Sequence, residues 1–287
     1  MQVFHAEVRR TDDLSPGMRR VVLHVPGYTT TGVGDEYLRI LFPADGERVP
    51  RLPEVVDGNL DYGSIDLGRL RTYTARVWDG DAEELTVDFV LHDKGVATTW
   101  ARDATPGDIV GLNSPTAMYD PPEGLEWLII VTDLAGLPAA ARILDTTPGR
   151  VSVRMVVEVV DESHRIDLAT HPRAEITWMV GGNGHGPSRL DEVVRSLPRP
   201  AGTGYTWVAG ESRTLRAVRK HLRHELGLPA TAYKTVGYWI AGSEVWEQRY
   251  EALDPDVRTR LDQLWESERD PAEIEDEYDA SLTRLGL

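Results

Sequence analysis

The stretch GRLRTYTARVWDGDAEELTVDFVLHDKGVATTW, residues 68–100, joins two strand-like segments to the start of a helix. Its first segment, RLRTYTARVW, brings Arg71, Tyr73, Thr74 and Arg76 within six positions. Because side chains alternate along a strand, Arg71 and Tyr73 are expected on one face, and Thr74 and Arg76 on the other. Two interpretations remain open here: an edge strand with exposed arginines, or a strand that lays an aromatic ring and cations along a flat anionic ligand.

The end of the same stretch, DKGVATTW at residues 93–100, follows a strand and opens a helix. A glycine and small side chains allow backbone N–H groups to approach a phosphate, and a helix N-terminus favours its negative charge. The candidate phosphate-contacting residues are Gly95, Ala97, Thr98 and Thr99. Since many helices begin with such residues, this segment alone does not distinguish an anion site from an ordinary helix start.

Short β-branched or aromatic segments, bounded by Gly, Pro, Asp and Asn, surround this stretch. They are residues 3–10, 18–25, 36–43, 70–78, 84–92 and 105–115, with one helix at residues 96–104. Several antiparallel strands with a single late helix predict a β-barrel. Residues 43–66 mix Pro, Gly, Asp and Arg, and we expect a long irregular loop there, either functional or mobile.

After YDPPEGLEW, residues 119–127, strands alternate with helices. The predicted strands are residues 127–133, 151–160, 176–182 and 204–211, and the predicted helices are residues 135–147, 188–197 and 212–226. This alternation predicts a parallel, doubly wound sheet. The expected fold class is α+β with two domains: an antiparallel β-barrel at residues 1–124 and a parallel-sheet α/β domain at residues 125–243, followed by an acidic helical C-terminal extension at residues 244–287.

The composition restricts the classes of function. A net charge of −16 and a pI near 4.9 argue against nucleic acid and anionic membranes as partners. The sequence has no cysteine, which excludes disulfides, thiolate metal sites and iron–sulfur clusters, and no His, Asp and Glu cluster has a metal-ligand spacing. The longest apolar run, WLIIV, is too short to cross a bilayer, and the first residues lack a secretion signal. We therefore expect a soluble, cytoplasmic protein without a resident metal.

Two charged surfaces have open interpretations. Residues 244–287 contain 14 Asp and Glu against 5 Arg, and they form either a solvated helical extension or a partner-binding tail. His221 and His224 lie in a predicted helix together with Arg219, Lys220 and Arg223. This basic face is either an ordinary surface or a docking place for an anionic electron donor.

Taken together, the order and spacing of several motifs resemble the siderophore-interacting protein family, a branch of the ferredoxin-reductase-like flavoproteins. In the first half, RxYTxR is followed by VDFVLH, GxATxW and PGDxxGLxSP. The second half contains LPAxARIL at residues 137–144, YTWVAGE at residues 205–211, and VRKHLRHELGL and VGYWIAG within residues 218–242. The resemblance covers residues 3–242 and implies an FAD-binding barrel, an NAD(P)H-binding-like domain and the reduction of ferric siderophores.

The resemblance also implies the cofactor-binding residues. The ring and phosphates of FAD would be contacted by Arg71, Tyr73 and Thr74, and the cofactor would be lined after the next strand by Val90, Leu91 and His92. Its diphosphate would be held by Gly95, Ala97, Thr98 and Thr99. Trp239 would lie near the flavin from the other domain. The nicotinamide candidates are Thr132, Asp133 and Glu211, and the candidate cations for an anionic siderophore are Arg48, Arg51 and Lys234.

One turn departs from the family pattern. Where the family typically reads GDETALPA, this chain has TDLAGLPA at residues 132–139, so Thr132 replaces a glycine that lets a dinucleotide approach. Gly136 supplies room one turn later, but use of NADPH or NADH is put in question and reduced ferredoxin remains an alternative donor. The GGNGHG run at residues 181–186 is a flexible or a nucleotide-contacting loop, and Asp161 with Glu162 either binds a ribose or ends a strand.

The sequence therefore predicts a flavin-dependent ferric-siderophore reductase that releases iron as iron(II), with electrons from NAD(P)H or ferredoxin. Outer-sphere electron transfer requires no catalytic acid, base or nucleophile from the protein. Two alternatives remain: a general FAD-dependent NAD(P)H oxidoreductase with another acceptor, and a non-catalytic flavin- or siderophore-binding protein.

Overall fold

The computed structural model describes residues 1–61, 63, 65–267, 269 and 271–287. The strands of the first domain are β1 (Val3–Ser15), β2 (Met18–His24), β3 (Tyr37–Leu41), β4 (Glu54–Val56), β5 (Asn59–Asp61), β6 (Leu70–Thr74), β7 (Val77–Asp79), β8 (Glu84–Val90) and β9 (Ile109–Asn113). Helix α1 (Val96–Asp103) connects β8 to β9. Seven strands form an antiparallel sheet in the order β6-β3-β9-β1-β2-β8-β7, and β4 and β5 form a hairpin inside the loop that was expected to be irregular.

The two edges of this sheet are consecutive segments of the chain, and the sheet therefore curls into a barrel. Strand β6 pairs with β3, whereas β7 pairs with β8. At the bend between them, the Ala75 amide donates to the Glu36 carbonyl at 2.9 Å and the Arg76 amide donates to the Thr86 carbonyl at 2.9 Å. The prediction of one continuous strand over residues 70–78 is wrong, because the chain changes partners at this bend.

An aromatic cluster in the barrel core connects β6 to α1. The ring centroids of Tyr73 and Phe89 are 4.4 Å apart, and those of Phe89 and Trp100 are 5.7 Å apart. Phe89 is fully buried, and burial of such a side chain contributes about 1.5–3 kcal/mol. The strand that carries Tyr73 and the helix that follows Gly95 are thus held by one packed cluster.

The second domain is a five-stranded parallel sheet flanked by helices. Its elements are β10 (Trp127–Thr132), α2 (Leu137–Thr146), β11 (Ser152–Val159), β12 (Ala174–Val180), α3 (Leu190–Ser196), β13 (Gly204–Glu211), α4 (Ser212–Lys220) and β14 (Tyr233–Trp239). The order is β12-β11-β10-β13-β14, so the topological switch point lies between β10 and β13. In such sheets ligands bind at the carboxyl ends of the strands beside the switch point.

The packing of this domain follows from its sequence. Strand β10 is buried along its whole length, as a strand covered on both faces must be. Helix α2 packs on one face of the sheet through residues such as Ile143, while α3 and α4 pack on the other face through residues such as Leu190 and Leu215. The predicted fold class, an antiparallel barrel followed by a parallel α/β sheet and C-terminal helices, is confirmed. Strand β14 was not predicted, and α4 ends earlier than expected because residues His221–Glu225 form a π-type turn.

The C-terminal extension forms three helices, α5 (Ser243–Glu251), α6 (Pro255–Leu264) and α7 (Pro271–Arg284). They have their own apolar cluster, in which Leu261, Leu282 and Leu287 are buried. No helix in the described ranges combines the length and apolarity needed to cross a bilayer.

Helix α7 is attached to the basic face of α4 by ion pairs. Asp279 pairs with Arg216 at 3.3 Å and also with Arg219. Asp276 pairs with Arg223 at 3.3 Å, and with His224 at 3.1 Å if that ring is protonated. The protein's own acidic tail therefore occupies part of the basic face that the sequence offered to an external donor, while Lys220 stays exposed.

Candidate functional site

Two predicted cofactor residues, His92 and Gly95, lie together in the segment between β8 and α1. A Cβ atom added at Gly95 would be 3.1 Å from Cε1 of His92, so the residue before α1 lies directly against that ring. The pKa of His92 is lowered by partial burial, and then by the nearby cations Arg102 and Arg71. Asp93 acts in the opposite direction, so charges of both signs surround the imidazole. The Arg71 guanidinium itself donates from Nη1 to the carbonyls of Gly68 and Leu70 at 2.8 Å.

The N-terminus of α1 is suited to an anion. Gly95 precedes the helix with φ +127°, a conformation that favours glycine, and within the described chain no side chain caps this end. The first N–H groups of the helix therefore remain available, and the exposed Lys94 adds a positive charge beside them. The arrangement can hold a phosphate or diphosphate.

The four predicted diphosphate residues differ in what they can offer. The Thr98 side chain is buried, and its hydroxyl accepts from the His92 amide at 3.0 Å and donates to the His92 carbonyl at 3.1 Å. Thr98 therefore fixes the loop and has only its backbone N–H to offer, as does the buried Ala97. Thr99 is exposed, so its hydroxyl is accessible to a ligand.

Tyr73 and Thr74 occupy opposite faces of β6, as the alternation predicts. The Tyr73 ring packs on Phe89, and burial raises the pKa of its hydroxyl. Thr74 is only 4% exposed, and its hydroxyl makes no hydrogen bond of ordinary geometry to any described residue, although the Tyr238 hydroxyl is close enough to interact with it. A buried hydroxyl without a firm partner is the arrangement expected where a polar cofactor edge binds.

Val90 is the last residue of β8, and Leu91 follows it. Leu91 borders a cavity that was not predicted from the sequence. The cavity has a volume of about 390 Å³ and is lined also by Arg102 and by the turn between β1 and β2. In its wall, Ser15 Oγ and Arg19 Nε are buried without hydrogen-bond partners among the described residues. Asp13, which pairs with Arg19 at 2.7 Å, also lines the cavity, so the cavity offers polar groups of both signs to a ligand.

On the second domain, Thr132 ends β10 with its side chain turned into the core. The residue is fully buried, and its hydroxyl donates to the Ala209 carbonyl at 3.0 Å. A Cβ atom on Gly136 would overlap Thr132 Oγ1, so Gly136 leaves the space that the threonine fills. The family pattern has its glycine at position 132, whereas in this chain Gly136 provides the space. The Thr132 side chain fills that space and does not enter the ligand crevice.

Asp133 and Trp239 form a direct contact at the carboxyl ends of β10 and β14. Trp239 Nε1 donates to Asp133 Oδ2 at 2.7 Å, and Asp133 Oδ1 accepts from the Ala135 amide at 2.9 Å. Asp133 is fully buried, and burial raises its pKa to about 6 despite these hydrogen bonds. The carboxyl group therefore fixes the orientation of the Trp239 ring at the switch point.

Glu211 has a structural task rather than a free carboxylate. Its Oε2 accepts from the Thr214 amide at 2.8 Å and caps α4, while Oε1 accepts from the Ala241 amide at 3.1 Å. It joins the start of α4 to the segment after Trp239. Through these bonds Glu211 fixes the backbone next to the candidate nicotinamide site.

The GGNGHG loop is ordered by its own Asn183 and by Glu158, a residue that could not be singled out from the sequence. Asn183 accepts from the Leu134 amide at 3.0 Å and donates to the Glu158 carbonyl at 3.0 Å. The buried Glu158 carboxylate accepts from the Arg189 amide at 2.8 Å, and its pKa is raised by burial. The loop also touches Trp239 at Gly184 and therefore lies beside the Asp133 turn. No local signal in the sequence marks Glu158, since its partners are about thirty residues away.

The remaining candidates lie elsewhere. Asp161 caps a short 3₁₀ helix by accepting from the Ser163 hydroxyl at 2.6 Å and from the Ser163 amide at 2.8 Å, and hydrogen bonds from the Ser163 hydroxyl, the His164 ring and the Ser163 amide lower its pKa to about 2. Arg48 and Arg51 are exposed in the loop after β3. Lys234 lies near the start of β14, five residues and about 16 Å along the strand from Trp239, so the structure does not bring it to the site.

The residues present fit an FAD. The open N-terminus of α1 with Arg71 matches a diphosphate, and the Thr74 hydroxyl beside Tyr73 matches the polar and flat parts of a flavin. The parallel sheet supplies a second crevice with a fixed tryptophan, suited to a nicotinamide. Fold and site together define a two-domain, FAD-dependent oxidoreductase.

The chain belongs to the siderophore-interacting protein family. The family model described as siderophore-interacting protein matches residues 125–242, and the one described as siderophore-interacting FAD-binding domain matches residues 7–119. The predicted family is thereby confirmed, and the match to an FAD-binding domain model supports FAD as the cofactor.

Two relatives and one solved structure extend the comparison. The NADPH-dependent ferric-chelate reductase of Escherichia coli (strain K12) is 28% identical over 82% of this chain and 91% of its own length. Ferric vibriobactin reductase ViuB of Vibrio cholerae is 27% identical over 76% of this chain and 82% of its own. The crystal structure of a siderophore utilization protein from T. fusca is 31% identical and superposes with a TM-score of 0.75 over 84% of this chain and 94% of that one.

Proposed function

We propose that this protein is an NADPH- and FAD-dependent reductase of ferric siderophores, which releases iron in the cytoplasm. The observation that carries the proposal is the uncapped N-terminus of α1, where Gly95 lies against His92 and the exposed Lys94 adds a positive charge. The ferric-chelate and ferric vibriobactin reductases among its relatives support the substrate class. Iron(III) is the substrate of the reaction and not a resident metal.

In this proposal the first domain holds the FAD. The N–H groups at the start of α1, together with Arg71 and Thr99, bind the diphosphate, and Tyr73 and Thr74 contact the ring. When bound, FAD supplies the change from two-electron transfer by a nicotinamide to one-electron transfer to iron(III). The chain itself contributes position, exclusion of water and the local charge.

The second domain presents the nicotinamide at the switch point of its sheet. The Thr132 side chain packs inward, so the turn at residues 132–136 stays open for a dinucleotide, and Asp133 holds Trp239 at its edge. This geometry supports a nicotinamide donor, and the NADPH-dependent relative supports NADPH. Reduced ferredoxin is a weaker candidate, because α7 already pairs with Arg216, Arg219 and Arg223 of the basic face that suited an acidic protein.

Reduction releases iron because siderophores present hard oxygen ligands, which hold iron(II) much less firmly than iron(III). Arg48 and Arg51, exposed in the loop after β3, are our candidates for contact with an anionic ferric chelate. Neither is needed for electron transfer itself. Their replacement is expected to raise KM for the chelate and to leave kcat nearly unchanged.

The test is a steady-state assay in which a chromogenic iron(II) chelator traps the product. FAD-loaded protein is supplied with a ferric siderophore and with NADPH, NADH or reduced ferredoxin in parallel. We expect iron(II) to form fastest with NADPH. Turnover of a quinone or oxygen but not of any ferric siderophore would overturn the proposed substrate, and turnover with ferredoxin alone would overturn the proposed donor.

A further inference from the structure

Helix α2 of the second domain lies directly against the first domain. A Cβ atom on Gly34 would be 2.6 Å from Cγ1 of Ile143 and 3.1 Å from its Cα, so the loop before β3 rests on the helix backbone. All residues of α2 from Leu137 to Leu144 are buried. The helix is therefore a shared element of the two domains rather than a surface helix of one.

Arg142 is the polar centre of this contact. Its Nη1 donates to the carbonyl of Ala75, and its Nη2 donates to Thr30 Oγ1 at 3.0 Å and lies 3.4 Å from Glu36 Oε2. Glu36 is fully buried and also accepts from the Tyr28 hydroxyl at 2.9 Å. One guanidinium thus joins a helix of the second domain to a buried carboxylate and to the backbone of the barrel.

A second tie lies one helical turn further along α2. Asp145 pairs with Arg76 at 2.5 Å; the Arg76 side chain is 11% exposed and that of Asp145 is 29% exposed. Ala75 and Arg76 form the bend at which the barrel closes, immediately after Tyr73 and Thr74. Helix α2 therefore holds the end of the strand that we assign to the flavin.

The other end of α2 lies at the nicotinamide crevice. Asp133, which precedes the helix, fixes Trp239 through a hydrogen bond of 2.7 Å. Helix α2 begins at Leu137, four residues after Asp133, and Arg142 lies about 8 Å further along it. A helix of this length is stiff, so both ends move together.

We propose that α2 is a strut that sets the distance between the flavin strand and the nicotinamide crevice, and that Arg142 is the positioning residue that fixes Tyr73 and Thr74 through the Ala75 carbonyl. This inference rests on the proposed function, because it assigns a task to Arg142 relative to the FAD site. Arg142 itself lies behind the strand and touches neither cofactor.

The test must separate a positioning role of Arg142 from the loss of stability that follows when Glu36 is left buried without a cation. Arg142→Met alone leaves Glu36 buried without its cation and is expected to destabilise the fold strongly. The double variant Glu36→Gln/Arg142→Met removes both charges and is expected to recover most of the thermal stability. If Arg142 positions the strand, this double variant binds FAD about tenfold more weakly than the wild type, although it is stable. The visible circular dichroism of its bound flavin is altered. Without FAD, its amide hydrogens at residues 70–76 exchange faster than those of the wild type.

Arg154→Met is the matched control, because Arg154 pairs with Glu175 on the exposed side of the second domain. It is expected to leave all these measurements unchanged. Arg142→Lys keeps the charge but cannot bridge Ala75 and Glu36 together, so it tests the same point even if the double variant is unstable. We expect near wild-type stability and weakened FAD binding.

Wild-type FAD affinity, flavin dichroism and amide exchange in the stable double variant, or in Arg142→Lys, would overturn the inference. The proposed function fails by a different result. If the wild-type protein binds no FAD, or if Thr74→Ala and Tyr73→Ala leave FAD binding unchanged, the assigned site is wrong whatever Arg142 does.

Discussion

Replacing Gly136 by alanine tests where the Thr132 side chain lies. Gly136 has φ −88° and ψ −8°, which alanine adopts without strain, so an ordinary Gly→Ala change here would stabilise the protein by about 0.4–1 kcal/mol. In this structure the new Cβ would overlap Thr132 Oγ1 and lie 2.8 Å from the Ala209 Cβ. Because neither neighbour is the end of a flexible chain, overpacking is expected to cost about 1–3 kcal/mol.

Taking the middle of each range, we expect Gly136→Ala to lower the free energy of unfolding by about 1.3 kcal/mol, the difference between overpacking and the backbone effect. At about 2–4 °C per kcal/mol, the Tm falls by roughly 3–5 °C. Thermal unfolding followed by circular dichroism measures this shift. Gly186→Ala is the control, since a Cβ there would have no neighbour within 4 Å.

A double-mutant cycle with Thr132→Ala identifies the cause. Removing Oγ1 relieves the overlap, so the double variant is expected to be about 1 kcal/mol more stable than the two single effects predict together. A Gly136→Ala variant as stable as the wild type, or additive effects in the cycle, would refute our account of the turn. Thr132 would then point into the ligand crevice, and the doubt about nicotinamide binding would return.

Three further predictions concern the site and the tail. Arg71→Ala weakens FAD binding about tenfold in a fluorescence titration, whereas Arg76→Ala has a smaller effect because Arg76 pairs with Asp145; equal losses would contradict the assignment of strand faces. Asp133 has a pKa of about 6 when folded and a lower one when unfolded, so its ionisation lowers stability by about 3 kcal/mol as the pH rises from about 4 to 6. In Asp133→Asn this part of the pH dependence of unfolding disappears; an unchanged profile would disprove the shift. Arg219 and its neighbours bind α7 through ion pairs, which 1 M salt weakens because the Debye length is then about 3 Å. Amide hydrogens in α7 should therefore exchange faster in 1 M salt. Equal exchange at low and high salt would show that apolar contacts hold the tail.

The elements that could be predicted from the sequence are those whose pattern is local. The apolar run Trp127–Val131 indicates a strand buried on both faces, and β10 is such a strand. Glycine and small residues at 95–99 indicate a helix start that accepts an anion, and the structure leaves that start uncapped. In both cases neighbouring residues alone determine the feature.

Features that depend on distant partners could not be predicted. The bend at Ala75 and Arg76 interrupts a segment whose alternation continues without a break, and only closure of the barrel reveals it. Strand β14 mixes polar, glycine and aromatic residues because it lies at the edge of the sheet, so it lacks the apolar run of a central strand. Both the bend and strand β14 therefore depend on pairing with strands that are distant in the sequence.

The charges of the tail illustrate the same limit. An acidic tail and a basic helical face are both visible in the sequence, but nothing local shows that α7 covers α4. Arg142 belongs to a motif that the sequence analysis quoted, yet its partners Glu36 and Ala75 are 106 and 67 residues away. Its position between the domains became visible only in three dimensions.

The central claim is that an FAD bound at β6 and α1 carries electrons from NADPH to a ferric siderophore. The most direct measurement is anaerobic stopped-flow absorbance, in which FAD-loaded protein is mixed first with NADPH and then with the ferric siderophore. The account predicts that the visible flavin absorbance is lost in the first step and regained in the second, as a chelator captures iron(II), and that Thr74→Ala slows both steps or loses the cofactor. A protein that acquires no flavin absorbance, or a reduced flavin that is not reoxidised by any ferric siderophore, would contradict it.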